Sequence, residues 1–371
     1  MIAKKVDNIL EQAGITINGP QPWDIQVHDQ RWYNRVLLDK NLGMGESYME
    51  GWWDCDKIDA MVHRLLQNGI EDEINGDLRY RTHYLPGVIR NLQSKARSRM
   101  IAERHYDLDY NLFSSFLDPY HQYSCGFFNG TDDLDEAQQR KLDLIAAKLN
   151  LCEQDHLLDI GCGWGGLAQY AAQQHGCTVT GVNISTEQLQ YARQRCQDLP
   201  IQFQECDYRD IKGQFDKIVS VGMFEHVGRK NYRTFMEVAH RSLRDKGIFL
   251  LHTIGNNVSR SSIDPWINRY IFPNSMLPSL RQISEAAEKL FVIEDIHNIG
   301  PHYDKTLLSW NDRFQDAWPD LEKKFDSRFK RMWEYYLLSC AGSFRARNVQ
   351  VWQIVLTKQG AFTSPAVHWR V

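Results

Sequence analysis

Residues 156–166 read HLLDIGCGWGG. A short apolar run breaks at once into glycines, a pattern that predicts a buried strand ending in a tight turn. Gly161 and Gly163 let the backbone turn sharply and come close to a ligand, because no Cβ stands in the way. LAQYAAQQH follows and predicts a helix, whose first amides would face whatever lies over the turn. Asp159 then falls at the carboxyl end of the strand, where open α/β sheets bind their ligands.

The alternation continues on both sides. LDEAQQRKLDLIAAKLNL before the strand is an amphipathic helix. After it come the strand TVTGVN, a helix opened by an S-x-x-Q capping box at Ser185 and Gln188, and the strands IQFQEC, FDKIVSVG and GIFLLHTI. The helix NYRTFMEVAHRSL precedes the last of these. FVIEDIHNI and VWQIVLT are later strand candidates. Strands alternating with helices predict an α/β fold, a doubly wound, Rossmann-like sheet covered on both faces. The segment between HTI and FVIEDIHNI, and the helical, aromatic block from Tyr303 to Phe344, read as insertions that cap a substrate site.

The glycine turn narrows the ligand. NAD dehydrogenases carry a similar turn, and a bare GxGxxG discriminates poorly. The D-x-G-x-G-x-G form, placed well inside the chain after a preparatory helix, resembles the S-adenosylmethionine motif of class I methyltransferases. Asn183 follows the second strand, where such enzymes usually carry an acid for the ribose hydroxyls, and an amide can also pair with hydroxyls. Asp207 follows the third strand, where an acid or amide usually meets the adenine amino group. Glu225 and His252 fall just beyond the ends of adjacent strands, beside the expected cofactor. Neither place needs a titratable group for folding, so both are candidates for catalysis or substrate holding. His226 reads as structural.

Bulk properties bound the rest. The 371 residues suffice for one large or two ordinary domains, and 43% are apolar, enough for a sizeable core. A net charge of −4 does not suggest a nucleic-acid partner. No apolar run of membrane-spanning length occurs, the start does not read as a signal peptide, and a cytoplasmic location is expected. The eight cysteines include no CxxC pair, and no HExxH occurs, so no metal site is expected and the thiols read as small buried hydrophobes. Three parts are expected: a small α+β domain over 1–85, a basic amphipathic linker over 86–105, and a catalytic domain over 106–371. Residues 88–104 and the block Arg328, Lys330, Arg331, Trp333 are the candidate surfaces for landing on an anionic membrane, with a linker docked on its own protein as the alternative for the first.

Several fragments together carry a family resemblance: GESYMEGWWDCD, ERHYDLD, YSCGFF at 123–128, DIGCGWGG, VGMFEHVG, LLHTIG, DPWINRYIFP and CAGSFRARNVQVWQIV. The chain resembles the cyclopropane-fatty-acyl-phospholipid synthases nearly end to end and, more distantly, the mycolic acid cyclopropane synthases. The resemblance implies methyl transfer from S-adenosylmethionine to a cis double bond of an acyl chain in a membrane phospholipid, then proton loss and ring closure. It implies a bound bicarbonate as base, held by the backbone amides of Cys125 and Ile254 and by Glu225, His252 and Tyr303. It implies that Tyr123, Ser124, Gly161, Gly163, Asn183, Gln188, Asp207 and Tyr208 hold the cofactor. Where the family more often has Thr, this chain has Asn183. A homodimer, associated peripherally with the inner face of the membrane, is expected on the same ground.

Three other readings share parts of this pattern. A methyltransferase acting on another acceptor would keep every cofactor motif but would not need the bicarbonate set. A lipid-binding scaffold would not need YSC, Glu225 and His252. An RNA methyltransferase should show a basic face or an NPPY-type motif, and the sequence has neither.

Overall fold

The computed structural model describes residues 2–70, 110–260 and 263–361. The basic stretch 86–105 and the ERHYDLD fragment lie outside these residues. Helices and strands are numbered in chain order among the described residues.

The chain divides into two units. The sheet unit comprises Asn91–Arg260, Asn274–His302 and Gln350–Val371, as far as they are described. Its strands are β3 (His156–Ile160), β4 (Thr178–Asn183), β5 (Ile201–Glu205), β6 (Phe215–Val221), β7 (Leu243–Asn256), β8 (Phe291–Asn298) and β9 (Val349–Lys358), ordered β5-β4-β3-β6-β7-β9-β8. β5, β4, β3, β6 and β7 run parallel, and β8 pairs antiparallel with β9. The strand order reverses between β3 and β6, the place where a doubly wound sheet opens a ligand crevice at its carboxyl edge.

Alternation along the strands splits the core in two. Leu157, Val179, Val219 and Leu250 pack against α5 (Leu134–Leu149) and α6 (Gly166–His175). Leu158, Val182, Ile218 and Leu251 join the cluster built by α8 (Tyr232–Ser242) and α10 (Leu280–Ala287). This unit also holds α4 (Tyr110–Phe116) and α7 (Thr186–Arg195). Asp133 caps α5 by accepting the Glu136 amide at 2.8 Å, and left-handed Asn150 ends it. Every strand and helix expected in this part is present.

The other unit comprises Met1–Arg90, Ser261–Pro273 and Tyr303–Val349, as far as they are described. It contains α1 (Ile2–Gln12), α2 (Arg31–Met49), α3 (Ile58–Gln67), the two-residue strands β1 (Gln26–Val27) and β2 (Trp53–Asp54), α9 (Pro265–Tyr270), most of α11 (Pro301–Leu321), and α12 (Ser327–Arg345). The partition differs from the expected 1–85 and 106–371 boundaries: Ser261–Pro273, from the first segment read as a cap, and the block from Tyr303 group with the N-terminal residues, while Asn274–His302 stays with the sheet. Aromatic burial explains this. The ring of Tyr335 lies 5.6 Å from Tyr48, 6.3 Å from Trp53 and 4.8 Å from Trp266. Gly342 brings α12 against α3, where a Cβ would stand 2.5 Å from the Asp59 carbonyl oxygen. The buried Glu46 gathers Arg35, Arg269 and Tyr270 around its carboxylate.

The expected landing block is folded inward in part. Trp333 is buried. Arg331 stacks over the Tyr48 ring at 3.9 Å and donates to the Trp53 carbonyl at 2.8 Å and to Asp54 at 2.7 Å. These two side chains therefore hold the unit together rather than present a membrane face.

Candidate active site

The turn after β3 sits at the switch point. Gly161 and Gly163 have φ of 86° and 53°, and Gly165 has φ of 80°. A Cβ on Gly161 would meet Met223 at 2.7 Å, whereas one on Gly163 would meet nothing within 4 Å. The turn is thus closed on one side and open on the other. Gly166 opens α6 under the Tyr120 carbonyl, and a Cβ there would come within 1.7 Å of that oxygen. Asp159, at the end of β3, is buried, and its Oδ2 has no partner among the described residues. Burial pushes its carboxyl up to about 7, against the opposing charge of Lys141.

Asn183 ends β4 and is held by its own turn. Its Oδ1 accepts the Ile184 and Ser185 amides, and its Nδ2 donates to Gln188 Oε1 at 2.8 Å. The capping box expected at Ser185 and Gln188 is half present: Ser185 Oγ accepts the Gln188 amide, but the Gln188 side chain turns to Asn183. Asp207 follows β5 and is committed to Arg209, whose guanidinium donates to both carboxylate oxygens at 2.7 Å. Tyr208 is part of the core, with its ring 5.3 Å from Phe235.

Glu225 lies in a 3-10 turn (Phe224–His226) that follows β6. It is buried, its Oε1 accepts the Ile254 amide at 2.6 Å, and its Oε2 has no partner among the described residues. Burial pushes this carboxyl up to about 7, with the Ile254 amide pulling the other way. His252 lies within β7 rather than beyond its end, because the strand runs on to Asn256. It pairs with Val221 in the register, and its carbonyl accepts the Gly222 amide at 3.0 Å. Its Nδ1 stands 3.3 Å from Gln353 Nε2. Burial first, then the charges of Lys141 and Lys148, hold the His252 imidazole well below its ordinary pKa, so it is neutral. A Gln353 amide that donates to Nδ1 is satisfied by the tautomer with its proton on Nε2.

Tyr123, Ser124 and Cys125 form a segment between α4 and α5. The Tyr123 ring lies 5.2 Å from Phe113. Ser124 and Cys125 are buried, and the Cys125 thiol reaches the Ile299 carbonyl at 3.7 Å. Tyr303 belongs to the other unit, where its ring packs 4.5 Å from Phe344. The sheet unit therefore holds Glu225 on the turn after β6, bonded to Ile254 of β7, the strand that also carries His252.

Sequence reasoning missed Gln138, Lys141, Lys148 and Gln353, all buried in this unit. A signal existed: positions 138, 141, 145 and 148 share one helical face, so three polar residues sit on an apolar stripe. Among the described residues, no group of three or more His, Cys, Asp or Glu side chains is placed to hold a metal.

A family model described as mycolic acid cyclopropane synthetase matches residues 93–354. The cyclopropane-fatty-acyl-phospholipid synthase of Escherichia coli K12 is 49% identical over 352 residues, which cover 95% of this chain and 92% of that protein. Among solved structures, the cyclopropane synthase MmaA2 from Mycobacterium tuberculosis is 30% identical with a TM-score of 0.66, covering 70% of this chain and 98% of its own. The mycolic acid cyclopropane synthase CmaA1, solved with SAH and CTAB, is 31% identical with a TM-score of 0.66 and the same coverage. A seven-stranded sheet with a glycine turn at its switch point, and these matches, place the chain in one group: it belongs to the mycolic acid cyclopropane synthetase family, as a methyltransferase of that family.

Proposed function

We propose that this enzyme transfers the methyl carbon of S-adenosylmethionine to a cis double bond of an unsaturated acyl chain in a membrane phospholipid and closes a cyclopropane ring, with bicarbonate as the base. The observation that carries the reading is the buried Glu225 carboxylate. One oxygen is on the Ile254 amide and the other has no partner among the described residues, next to the strand that presents a neutral His252. A buried acceptor of this kind is costly unless a bound group completes it.

The cofactor fits the glycine turn. Gly163 leaves open space where a side chain would stand, and Asn183 and Gln188 border it through the Asn183 contact with the Gly163 carbonyl at 3.4 Å. S-adenosylmethionine supplies an electrophilic methyl group, and bicarbonate takes up the proton that the new methyl carbon loses. Glu225 Oε2 would accept a hydroxyl hydrogen, and His252 Nε2 would donate to an oxygen. The Ile254 amide is already shared with Glu225, so it would hold an anion as a bifurcated donor. Cys125 completes the proposed base site within the sheet unit, and Tyr123, Ser124, Asp159, Gly161, Asp207 and Tyr208 the proposed cofactor site; Tyr303, in the other unit, is assigned to the base by the family resemblance alone. An alkene is a weak nucleophile, so the residues act chiefly by placing the double bond against the methyl group in a dry pocket.

Among the described residues no helix is long and apolar enough to cross a membrane. On the family resemblance, we propose that the protein works from the inner membrane surface, as a cytoplasmic homodimer that draws an acyl chain out of the bilayer. Turnover with S-adenosylmethionine and phospholipid vesicles in carbon-dioxide-depleted buffer tests the base. Turnover should fall and return on adding bicarbonate; rates that ignore bicarbonate would remove it from the mechanism.

A further inference from the structure

Two fully buried polar side chains of α5, Gln138 and Lys141, lie one turn apart. The Gln138 amide donates to the backbone carbonyls of Ser124 at 2.8 Å and Gln122 at 3.3 Å. The Lys141 ammonium donates to side-chain oxygens of the same two residues, Gln122 Oε1 at 2.7 Å and Ser124 Oγ at 2.9 Å. From the other side, the Asp118 carboxylate accepts the Gln122 and Tyr120 amides at 2.7 and 2.8 Å. The Tyr120 carbonyl is the group seated against Gly166. The segment leading to Cys125 is thus fixed between a rigid helix and the helix that opens at the glycine turn.

A fully buried ammonium is a costly way to fill space, since methionine or leucine would fill it without desolvation. What the ammonium adds is direction: two bonds from one nitrogen set the Gln122 and Ser124 side chains relative to the helix. Its charge is also felt by Asp118, Cys125 and Asp159, which favour the ammonium against the cost of burial.

We propose that Lys141 is a positioning residue for the methyl transfer: with Gln138 it presets Ser124, and through the next peptide Cys125, against the glycine turn. This rests on the reading of residues 123–125 as part of the cofactor and base site. A displaced segment would loosen the cofactor and misplace the reacting atoms, and misplacement on the ångström scale lowers rates by about 100-fold.

The test compares the full-length protein with Lys141→Met and Lys141→Gln, each checked for folding by circular dichroism. Calorimetry with S-adenosylhomocysteine reads cofactor binding, and vesicle assays read kcat and KM for lipid. Lys141→Met should bind S-adenosylhomocysteine about 10-fold more weakly and lose about 10- to 100-fold in kcat, with KM for lipid little changed. Lys141→Gln, which keeps one donor, should recover part of both losses. A folded Lys141→Met with wild-type affinity and kcat overturns the proposal. If that variant does not fold, Lys141→Gln decides: wild-type values in it overturn the proposal equally. Failure of the lipid reading looks different, because the wild type would then be inactive on vesicles while the loss of S-adenosylhomocysteine affinity in Lys141→Met would persist.

Discussion

The backbone N–H of Ile254 donates to Glu225 Oε1 at 2.6 Å, tying the turn after β6 to β7 by one charge-assisted bond. The second oxygen of the same carboxylate is buried with no partner among the described residues. One oxygen anchors the group and the other carries no bond among the described residues, which is the acceptor that the proposed base would use.

Glu225→Gln keeps the size and can keep the Ile254 contact, but it loses the ionised acceptor. His252→Ala removes the imidazole beside Gln353. Each variant should fold, bind S-adenosylhomocysteine nearly as the wild type does, and lose turnover by about 100-fold, the usual scale for one preorganised polar group. Calorimetry and initial rates check this. Wild-type rates in both variants would mean that these strand ends do not carry the reaction.

Burial raises the Glu225 carboxyl from 4.5 to about 7, so it ionises only as pH passes that value. If the ionised form is the acceptor, kcat climbs with pH through about 7, and Glu225→Gln lacks that limb. Stability runs the other way. The folded-state pKa lies above the unfolded one, so the proton's contribution is complete below 4.5 and is lost as pH rises towards 7. Urea unfolding should therefore show Glu225→Gln gaining on the wild type between about pH 5 and about pH 8. A stability difference independent of pH would contradict the shift.

Gly161→Val should abolish S-adenosylhomocysteine binding. The turn needs φ of 86°, which a β-branched residue resists, and the new Cβ would stand 2.7 Å from Met223. Near-normal affinity by calorimetry would mean that the turn is not the cofactor cradle.

The β3 turn and the strands around it were legible in the sequence because their signals are local: apolar runs, glycines and helical spacing. The place of Glu225, just past a strand, was legible for the same reason. His252, expected just beyond a strand end, lies inside β7, because it pairs with Val221 of β6 and the strand runs on to Asn256. The grouping of Tyr303–Val349 with the N-terminal residues was not legible. It is set by aromatic packing of Tyr335 on Tyr48 and Trp266, between positions hundreds of residues or many turns apart. Lys141 was hidden for a related reason: its partners, Gln122 and Ser124, lie in a loop without periodicity.

Arg331 shows how charge alone misleads. Its basic-aromatic neighbourhood suggested a membrane face, yet it bonds the Trp53 carbonyl and Asp54 and stacks on Tyr48. Arg331→Met should lower unfolding stability by about 2 kcal/mol, from lost charged hydrogen bonds and ring stacking. Sedimentation of the folded variant with anionic vesicles should match the wild type. A variant of unchanged stability that no longer pellets would restore Arg331 to the landing surface.

Ring closure on a lipid alkene separates this enzyme from a simple methyltransferase. Purified protein is incubated with S-adenosylmethionine and vesicles of a cis-unsaturated phospholipid, and the acyl chains are read by mass spectrometry and proton NMR. Each modified double bond should gain one CH₂ and lose its olefinic protons. A methylated chain that keeps its olefin, or acyl chains left unchanged while the enzyme binds S-adenosylhomocysteine, would contradict it.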